Sequence, residues 1–130
     1  MNKKKNEDLM RKAEDALKDD RVKILEKEKE DLSYKIKDSY NGQTASLGVT
    51  IAMSGLRPAL AIYQQETDGC NRLEILNAIA VMLGIVHNSP GKELFAQALN
   101  CDTAELKKLK KEVLDCSIAL KQVIRTYKLN

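Results

Sequence analysis

The last quarter of the sequence carries its most constraining pattern, a stripe of apolar side chains at helical spacing. The stripe recurs every three or four positions and consists of Leu106, Leu109, Val113, Cys116, Leu120, Val123 and Tyr127. Asp102 stands just before it and Glu105 three positions later, which is the chemistry of a capping box with Asp102 as N-cap. The pattern predicts a long amphipathic helix from Thr103 to about Lys128.

Shorter patterns of the same period predict the other helices of a bundle. One face of residues 7–18 holds Leu9, Ala13, Ala16 and Leu17. Asn71 can cap a helix that runs to about His87, and a turn at residues 88–91 leads into a short helix before Asp102. From Arg21, the apolar positions Leu25, Leu32, Ile36 and Tyr40 also predict helix. The mixed-sign run EKEKED within that segment is either a solvated helix face or a hinge between two helices.

Charge is absent from residues 39–56, between Asp38 and Arg57. Within this segment Ala45, Gly48, Ala52 and Gly55 recur at spacings of three and four, which predicts a helix that another backbone can approach closely. Gly55 suits the left-handed C′ position at the helix end, Leu56 the apolar C″ contact, and Pro58 the first turn of the next helix. We therefore expect a packing hinge in the core.

Length and composition favour one all-α domain, a compact bundle of about six helices over residues 1–130. The 130 residues are 43% hydrophobic and 32% charged with few aromatics, and no strand-like alternation stands out. Within the domain, residues 1–32 form a charged N-terminal helical region and residues 33–130 the core of the bundle. The basic start lacks the apolar stretch of a signal peptide, and no apolar run is long enough to span a membrane. A cytoplasmic protein is expected.

The sequence predicts no catalytic or metal centre and no cofactor. Its three cysteines are widely spaced, no CxxC occurs, and His87 is the only histidine, which favours reduced thiols over disulfides or zinc. Neither phosphate-binding glycine motif, GxxxxGK[ST] or GxGxxG, is present. His87 is expected near a helix C-terminus, where it would complement the dipole. The class that remains is a binding or assembly protein.

Basic charge is concentrated at the end of the sequence. Of 22 basic and 19 acidic residues, residues 101–130 hold 7 and 4, so this segment carries the whole net charge of +3. The predicted last helix turns lysines and Arg125 away from its apolar stripe, yet Leu114 and Ile118 stand among them. This second face is either a solvated lysine-rich surface or a surface for a partner.

The run YNGQTASLGVTIAMSGLRPALAIYQQ, residues 40–65, resembles the central segment of the small helical subunit of type III-B (Cmr-type) CRISPR effector complexes. The shared elements are a helix with aromatic and small residues, the Gly55-Leu56 turn, and an Ala/Leu-rich helix containing Tyr63. A charged helix before the segment and a long terminal helix after it agree as well. The resemblance implies a compact helical bundle without nuclease activity.

The resemblance also implies partners. Small subunits of this family stack with further copies of themselves, with the repeated backbone subunit and with the large polymerase-like subunit, beside the duplex of guide RNA and target RNA. Contacts with that duplex would be made to phosphate and sugar, since base pairing supplies the specificity. The expected function is a non-catalytic subunit in antiviral defence that lines the path of the target RNA.

Basic residues near the matched segment or on the terminal helix are the candidates for RNA contact. They are Lys35, Lys37, Arg57, Lys121, Arg125 and Lys128. Each is otherwise an ordinary solvated base, and Arg57 is singled out because a helix N-terminus follows it. Leu114 and Ile118 are the candidates for protein contact. The main alternative is a helical protein–protein adaptor that binds no nucleic acid; a small DNA-binding regulator would need a recognition helix, and no convincing one is present.

Overall fold

A computed structural model describes residues 2–28, 30, 33–67 and 69–130, without the side chains of Glu66 and Thr67. The described residues form six α-helices and five short strands. In chain order these are α1 (Lys3–Leu17), β1 (Leu25–Lys27), β2 (Tyr34–Ile36), α2 (Asp38–Ser54), α3 (Leu56–Ile62), β3 (Glu66–Thr67), β4 (Cys70–Asn71), α4 (Leu73–Met82), α5 (Pro90–Asn100), α6 (Thr103–Ile124) and β5 (Lys128–Leu129). A largely helical fold with six helices confirms the predicted fold class.

The predicted helix between residues 21 and 40 is wrong. Residues 25–27 and 34–36 are strands that pair antiparallel, and α2 begins only at Asp38. Strand β5 joins β2 in parallel, so that Ile36 lies opposite Leu129 in a three-stranded sheet. Local spacing could not reveal this pairing, because the partner strand comes from the far end of the sequence. Leu32, part of the predicted helical stripe, lies outside the described residues.

The core is built around α4, which packs against α1, α5 and α6. Residues 75–80 of α4 are buried on every side, and all of them except Asn77 are apolar. The faces predicted for the first helix and the last one are confirmed: Leu9 and Ala13 of α1 are buried, as are Val113 and Leu120 of α6. The cap of α6 is also as predicted, since Asp102 Oδ1 accepts a hydrogen bond from Glu105 N at 2.8 Å.

Helix α4 ends five residues earlier than predicted. Gly84 adopts φ +84°, its N–H donates to Val81 O, and Ile85 N–H donates to Ala80 O, each at 3.0 Å. These two bonds form a Schellman motif, in which a glycine with positive φ closes a helix. His87 consequently lies beyond the helix, where its Nδ1 accepts a hydrogen bond from Ser89 N at 3.0 Å.

The turn between α2 and α3 lies at the predicted glycine and has the predicted positive φ, but the ψ of Gly55 is extended, so the left-handed helical conformation predicted for it is wrong. Gly55 has φ +89° and ψ 166°, and its N–H donates to Ile51 O at 2.8 Å. Leu56 is buried and Pro58 lies in the first turn of α3. The small-residue stripe is only partly used, however. Gly48 faces Leu114 of α6, whereas Ala45 and Ala52 are exposed, so the prediction of a fully internal packing stripe is wrong.

A buried amide joins α4 to α5. Asn77 Oδ1 accepts a hydrogen bond from Gly91 N at 2.8 Å, and Asn77 Nδ2 donates to Glu74 Oε1 at 3.1 Å. Glu74 Oε1 also accepts from Lys23 N at 2.8 Å. A Cβ atom on Gly91 would lie only 2.7 Å from Asn77 Oδ1, so the two helices approach closely here. Helix α5 begins at Pro90, inside the segment predicted as a turn.

Candidate nucleic-acid and subunit interfaces

The outer face of the three-stranded sheet brings two candidate lysines together. Lys35 of β2 lies opposite Lys128 of β5 in the parallel register. Side chains alternate along a strand, and Ile36 is buried, so Lys35 and Lys37 point to the outer side of the sheet. These residues, Lys35, Lys37 and Lys128, are called the lysine face below. Their proximity depends on β5 and could not be seen in the sequence.

Carboxylates are interleaved with the lysine face. Glu26 lies opposite Lys35 in the antiparallel register, and its Oε1 is 3.8 Å from Lys37 Nζ. Lys128 Nζ donates a hydrogen bond to Glu28 Oε1 at 3.1 Å. Both lysine side chains are exposed, although Glu28 is only 19% exposed, and ion pairs at a surface contribute about 0–1 kcal/mol each. A polyanion can therefore displace these carboxylates at little cost.

Two further candidates, Lys121 and Arg125, lie at the C-terminal end of α6. Arg125 is exposed, and its Nε donates to Asn41 Oδ1 at 3.3 Å, which brings the end of α6 beside the start of α2. Lys121 is half-buried in the last turn of α6, where a cation also stabilises the helix dipole. Because Lys37 precedes α2 directly, both residues belong to the same end of the molecule as the lysine face.

Arg57 has structural partners. Its Nε donates to Ala98 O at 2.7 Å and its Nη2 to Cys101 O at 2.9 Å, so the guanidinium caps the C-terminus of α5. These bonds leave the other N–H groups of the guanidinium without an acceptor among the described residues. Contact between Arg57 and RNA stays a prediction.

The two candidates for protein contact differ in exposure. Leu114 is half-buried against α2, with its Cδ2 3.8 Å from the position that a Cβ atom on Gly48 would take. Ile118 is 46% exposed. The bond between Arg125 and Asn41 and the contact between Leu114 and Gly48 show that α2 and α6 run antiparallel. Ile118 therefore lies beside the exposed side of α2.

That exposed side of α2 is uncharged, and the sequence analysis missed it as a surface. Val49 is 59% exposed and Met53 82% exposed, and Ala45 and Ala52 lie on the same side. Together with Ile118 these residues are called the α2–α6 apolar face. The signal was present in the sequence, because a surface helix ordinarily carries charge on its outer side, and residues 39–56 carry none.

Arg72, between β4 and α4, is a second residue that the sequence analysis did not select. Its guanidinium lies 5.5 Å from the centroid of the Tyr63 ring. Nothing local in the sequence marks it, since the ring comes from the end of α3.

Groups suited to metal binding are absent from the residues that the structure describes. No cluster of three or more His, Cys, Asp or Glu side chains lies close enough to hold an ion among them. Cys70, Cys101 and Cys116 form no disulfide bond among the described residues. Across the same described ranges, every helix is too short or too polar to cross a bilayer.

The described residues form six helices around an apolar core, with one outward face of lysines and another without charge, which is the architecture of a small helical protein. Comparison with known proteins identifies the family. The model for CRISPR-associated protein (Cas_Cmr5) matches residues 3–127, and the chain belongs to this Cmr5 family, the small subunits of type III-B Cmr complexes. The resemblance seen in residues 40–65 is thereby confirmed.

A solved structure shows the same fold. The crystal structure of a CRISPR-associated Cmr5 family protein from Thermus thermophilus is similar with a TM-score of 0.63 at 19% sequence identity. The match covers 95% of this chain and 93% of that one. No curated protein sequence matches the chain.

Proposed function

We propose that the protein is a non-catalytic small subunit of a type III-B CRISPR ribonucleoprotein effector complex in the cytoplasm. The observation that carries the proposal is the family match over residues 3–127. In this proposal the subunit stacks in the inner filament of the complex, beside the guide–target duplex. It contacts further copies of itself, the backbone subunit and the large polymerase-like subunit.

The lysine face and the neighbouring C-terminal end of α6 are proposed to meet the RNA. Five of the six basic candidates lie at this end of the molecule, namely Lys35, Lys37, Lys121, Arg125 and Lys128. Three of them, Lys37, Arg125 and Lys128, are exposed, and Lys35 and Lys121 are half-buried. Long cationic side chains at a surface bind phosphates independently of base sequence. The paired carboxylates of Glu26 and Glu28 keep the face weakly charged until a stronger polyanion arrives.

The α2–α6 apolar face is proposed to meet a neighbouring protein subunit. Its small residues, Ala45 and Ala52, allow a close approach of another helix, and Val49, Met53 and Ile118 supply apolar area. Leu114, the second candidate from the sequence, is half-buried within the chain and contributes mainly by positioning α6 against α2.

Charge reversal tests the RNA contact. The triple variant Lys121→Glu, Arg125→Glu, Lys128→Glu is expected to remain folded and to retain less target RNA in the assembled complex. Its thermal unfolding midpoint should fall by a few degrees, because the ion pair with Glu28 and the cation at the end of α6 are lost. The matched control reverses Lys3, Lys4 and Arg11, which are exposed on α1. If both triple variants retain RNA equally well, the end of α6 is not part of the RNA path.

Affinity purification from the native host tests the assignment itself. The tagged chain is expected to recover guide RNA together with the other Cmr-type subunits. Recovery of protein partners without any CRISPR RNA would favour the alternative function, a helical adaptor without nucleic-acid binding. The specific observation behind that alternative is the neutralisation of Lys37 and Lys128 by carboxylates of the same chain.

A further inference from the structure

Every strand of the three-stranded sheet contributes a charged side chain to its outer side. Glu26, Lys35 and Lys128 lie opposite one another in a single row across β1, β2 and β5. Glu28 follows on the same side as Glu26, because side chains alternate along a strand, and its N–H donates to Ser33 O at 2.8 Å. Two carboxylates are thereby built into the surface that carries the lysine face.

The ion pair between Lys128 and Glu28 crosses the middle strand of the sheet. Strand β2 lies between β1 and β5, so the backbones of these two strands are about 9–10 Å apart. Lys128 Nζ nevertheless donates to Glu28 Oε1 at 3.1 Å, and the lysine side chain therefore lies across the outer side of β2, beside Lys35. The Glu28 side chain is 19% exposed, so its carboxylate is held against the sheet.

Both carboxylates are engaged by lysines other than Lys35. Glu26 Oε1 lies 3.8 Å from Lys37 Nζ, and Glu28 holds Lys128. Lys35 forms no ion pair with any residue that the structure describes, although it stands between Glu26 and Lys128 in the row. Lysines directly opposite each other on neighbouring strands repel, and an anion between them relieves that repulsion. Without a ligand, the lysine face therefore offers one unpaired ammonium group rather than three.

We propose that Glu26 and Glu28 are specificity-determining residues, which occupy the phosphate-binding lysines of this face until an RNA backbone replaces them; the identity of this ligand rests on the proposed function. The first phosphate binds at Lys35, and the next phosphates along the chain take Lys128 from Glu28. A single anion supplies too little charge to replace the ion pairs. The isolated subunit consequently binds RNA weakly, and RNA is retained where several such faces lie along one strand.

A double-mutant cycle on RNA affinity tests this exchange. Glu28→Gln is expected to raise the affinity of the full chain for a single-stranded RNA oligonucleotide of mixed sequence about 3- to 10-fold, because Lys128 loses its competing anion. In a chain that carries Lys128→Gln, the same change at Glu28 is expected to alter the affinity by less than about 2-fold. A gain of equal size in both backgrounds would reflect net charge alone and overturns the proposal.

Glu30→Gln serves as the matched control on the same hairpin. Glu30 is exposed and forms no ion pair within the described part of the chain, so its replacement changes the net charge equally without releasing a lysine. The gain in affinity from Glu28→Gln should also shrink as salt is raised, because ions screen a surface pair. Equal effects of Glu28→Gln and Glu30→Gln on RNA affinity, or no effect of either, overturn the proposal.

Carbon-13 NMR of the Glu28 carboxyl group observes the exchange directly. The resonance is assigned by its loss in Glu28→Gln, and Lys128→Gln without RNA gives its position for the unpaired carboxylate. RNA added to the wild-type chain is expected to move the resonance towards that position, whereas inorganic phosphate at the same concentration of phosphate groups should leave it in place. A resonance that stays unmoved while RNA binds, or that inorganic phosphate moves equally, overturns the proposal.

Two further outcomes separate the alternatives. A lower thermal unfolding midpoint for Glu28→Gln with unchanged RNA affinity shows that the carboxylate only holds the sheet together, and this overturns the proposal. Failure of the wild-type chain to join a guide-containing complex contradicts the proposed function instead. The coupling between Glu28 and Lys128 is measured on the isolated chain and is read independently of assembly.

Discussion

Arg57 Nε donates a hydrogen bond to Ala98 O at 2.7 Å, across the contact between α3 and α5. A second bond from the same guanidinium reaches Cys101 O at 2.9 Å. The last carbonyl groups of a helix have no partner within it, and a cation there also complements the helix dipole. A residue selected from the sequence for RNA contact thus stabilises the fold through its position.

Replacement of Arg57 should therefore lower stability. Arg57→Gln is expected to reduce the free energy of unfolding by about 1–2 kcal/mol, because two helix-terminal carbonyls lose a charged donor. Urea denaturation followed by circular dichroism measures the change. Arg11→Gln, on the surface of α1, should stay within about 0.5 kcal/mol of the wild type. Equal stability of Arg57→Gln and Arg11→Gln would contradict a capping role.

Gly55 should resist substitution for backbone reasons alone. Its φ of +89° and ψ of 166° fall in a region that side chains disfavour, while a Cβ there would be 3.8 Å from Pro58 Cδ, an ordinary contact. Gly55→Ala should cost about 1–3 kcal/mol of unfolding free energy.

Gly42 provides the matched control for Gly55. It lies within α2, and a Cβ there would meet no atom within 4 Å. Gly42→Ala should stabilise the protein by about 0.5–1 kcal/mol, since alanine is the better helix former. If chemical denaturation gave similar changes in the free energy of unfolding for Gly55→Ala and Gly42→Ala, the backbone conformation of Gly55 would not disfavour alanine.

The ion pair between Asp19 and Arg21 should make stability depend on acid pH. Asp19 accepts hydrogen bonds from the side chain and the backbone N–H of Arg21, and these bonds lower the pKa of Asp19 to about 2. A lowered carboxyl pKa stabilises the fold above the unfolded value, near 3.8, and this contribution is lost as pH falls through about 2. The side chains of Arg21 and Asp19 are 28% and 25% exposed, so solvent partly screens the pair. We therefore expect it to contribute about 1 kcal/mol to the free energy of unfolding.

Thermal melts of wild type and Asp19→Asn between pH 2 and pH 6 measure this contribution. The difference in unfolding midpoint should be largest above pH 4 and shrink towards pH 2. A constant difference over the range would show that Asp19 has the same pKa in the folded and unfolded chain. Arg21 Nη1 also donates to Ile85 O, so Asp19→Asn is preferred to a change at Arg21.

The three thiols should react at very different rates. Burial, together with the nearby Asp115 and Glu112, raises the pKa of Cys116 to about 12, and Cys70 is buried as well. Cys101 is half-buried at the end of α5. A disulfide reagent at pH 8 should modify Cys101 rapidly and the other two only on unfolding, since the thiolate is the reacting form. Cys101→Ser should abolish the fast phase, and its persistence would contradict this order.

The α2–α6 apolar face should tolerate charge in the isolated chain but not in an assembly. Met53→Glu is expected to change the free energy of unfolding by less than about 0.5 kcal/mol, because the side chain is 82% exposed. In the complex it should reduce co-purification of neighbouring subunits. Val86→Glu is the control, since Val86 is 94% exposed elsewhere on the surface. Equal recovery of partners by both variants would argue against this face.

Local sequence signals predicted the parts of the fold that local chemistry determines. The Asp102 cap, the Gly55–Leu56 turn and the buried faces of α1 and α6 depend on residues close together in the chain. The strands at residues 25–27 and 34–36 were missed because their apolar residues also fit a helical spacing, and because the third strand of the sheet comes from the far end of the chain. The early end of α4 had a usable signal in Gly84, which was hidden within a continuous apolar run. The division of the chain at residue 32 stays a prediction.

The candidate sites likewise combine features that residue type reveals with features that depend on contacts between distant parts of the chain. Lysines can be selected by type, but the meeting of Lys35 and Lys128 requires the register of two distant strands. Arg57 was selected because it precedes a helix, whereas its bonds cap a different one. Arg72 was overlooked because its partner is an aromatic ring contributed by another helix. The exposed positions of Val49 and Met53 were not recognised, because the absence of charge in residues 39–56 was interpreted as a sign of internal packing.

The parallel pairing of β5 with β2 has a consequence for biosynthesis. Residues 34–36 leave the ribosome long before residues 128–129, so one edge of the β1–β2 hairpin lacks its neighbour while the rest of the chain is made. An open strand edge can pair with a strand of another chain, and lysines on it oppose such pairing. Lys35, which pairs with Lys128 in the mature sheet, places a positive charge on this edge while it is still open.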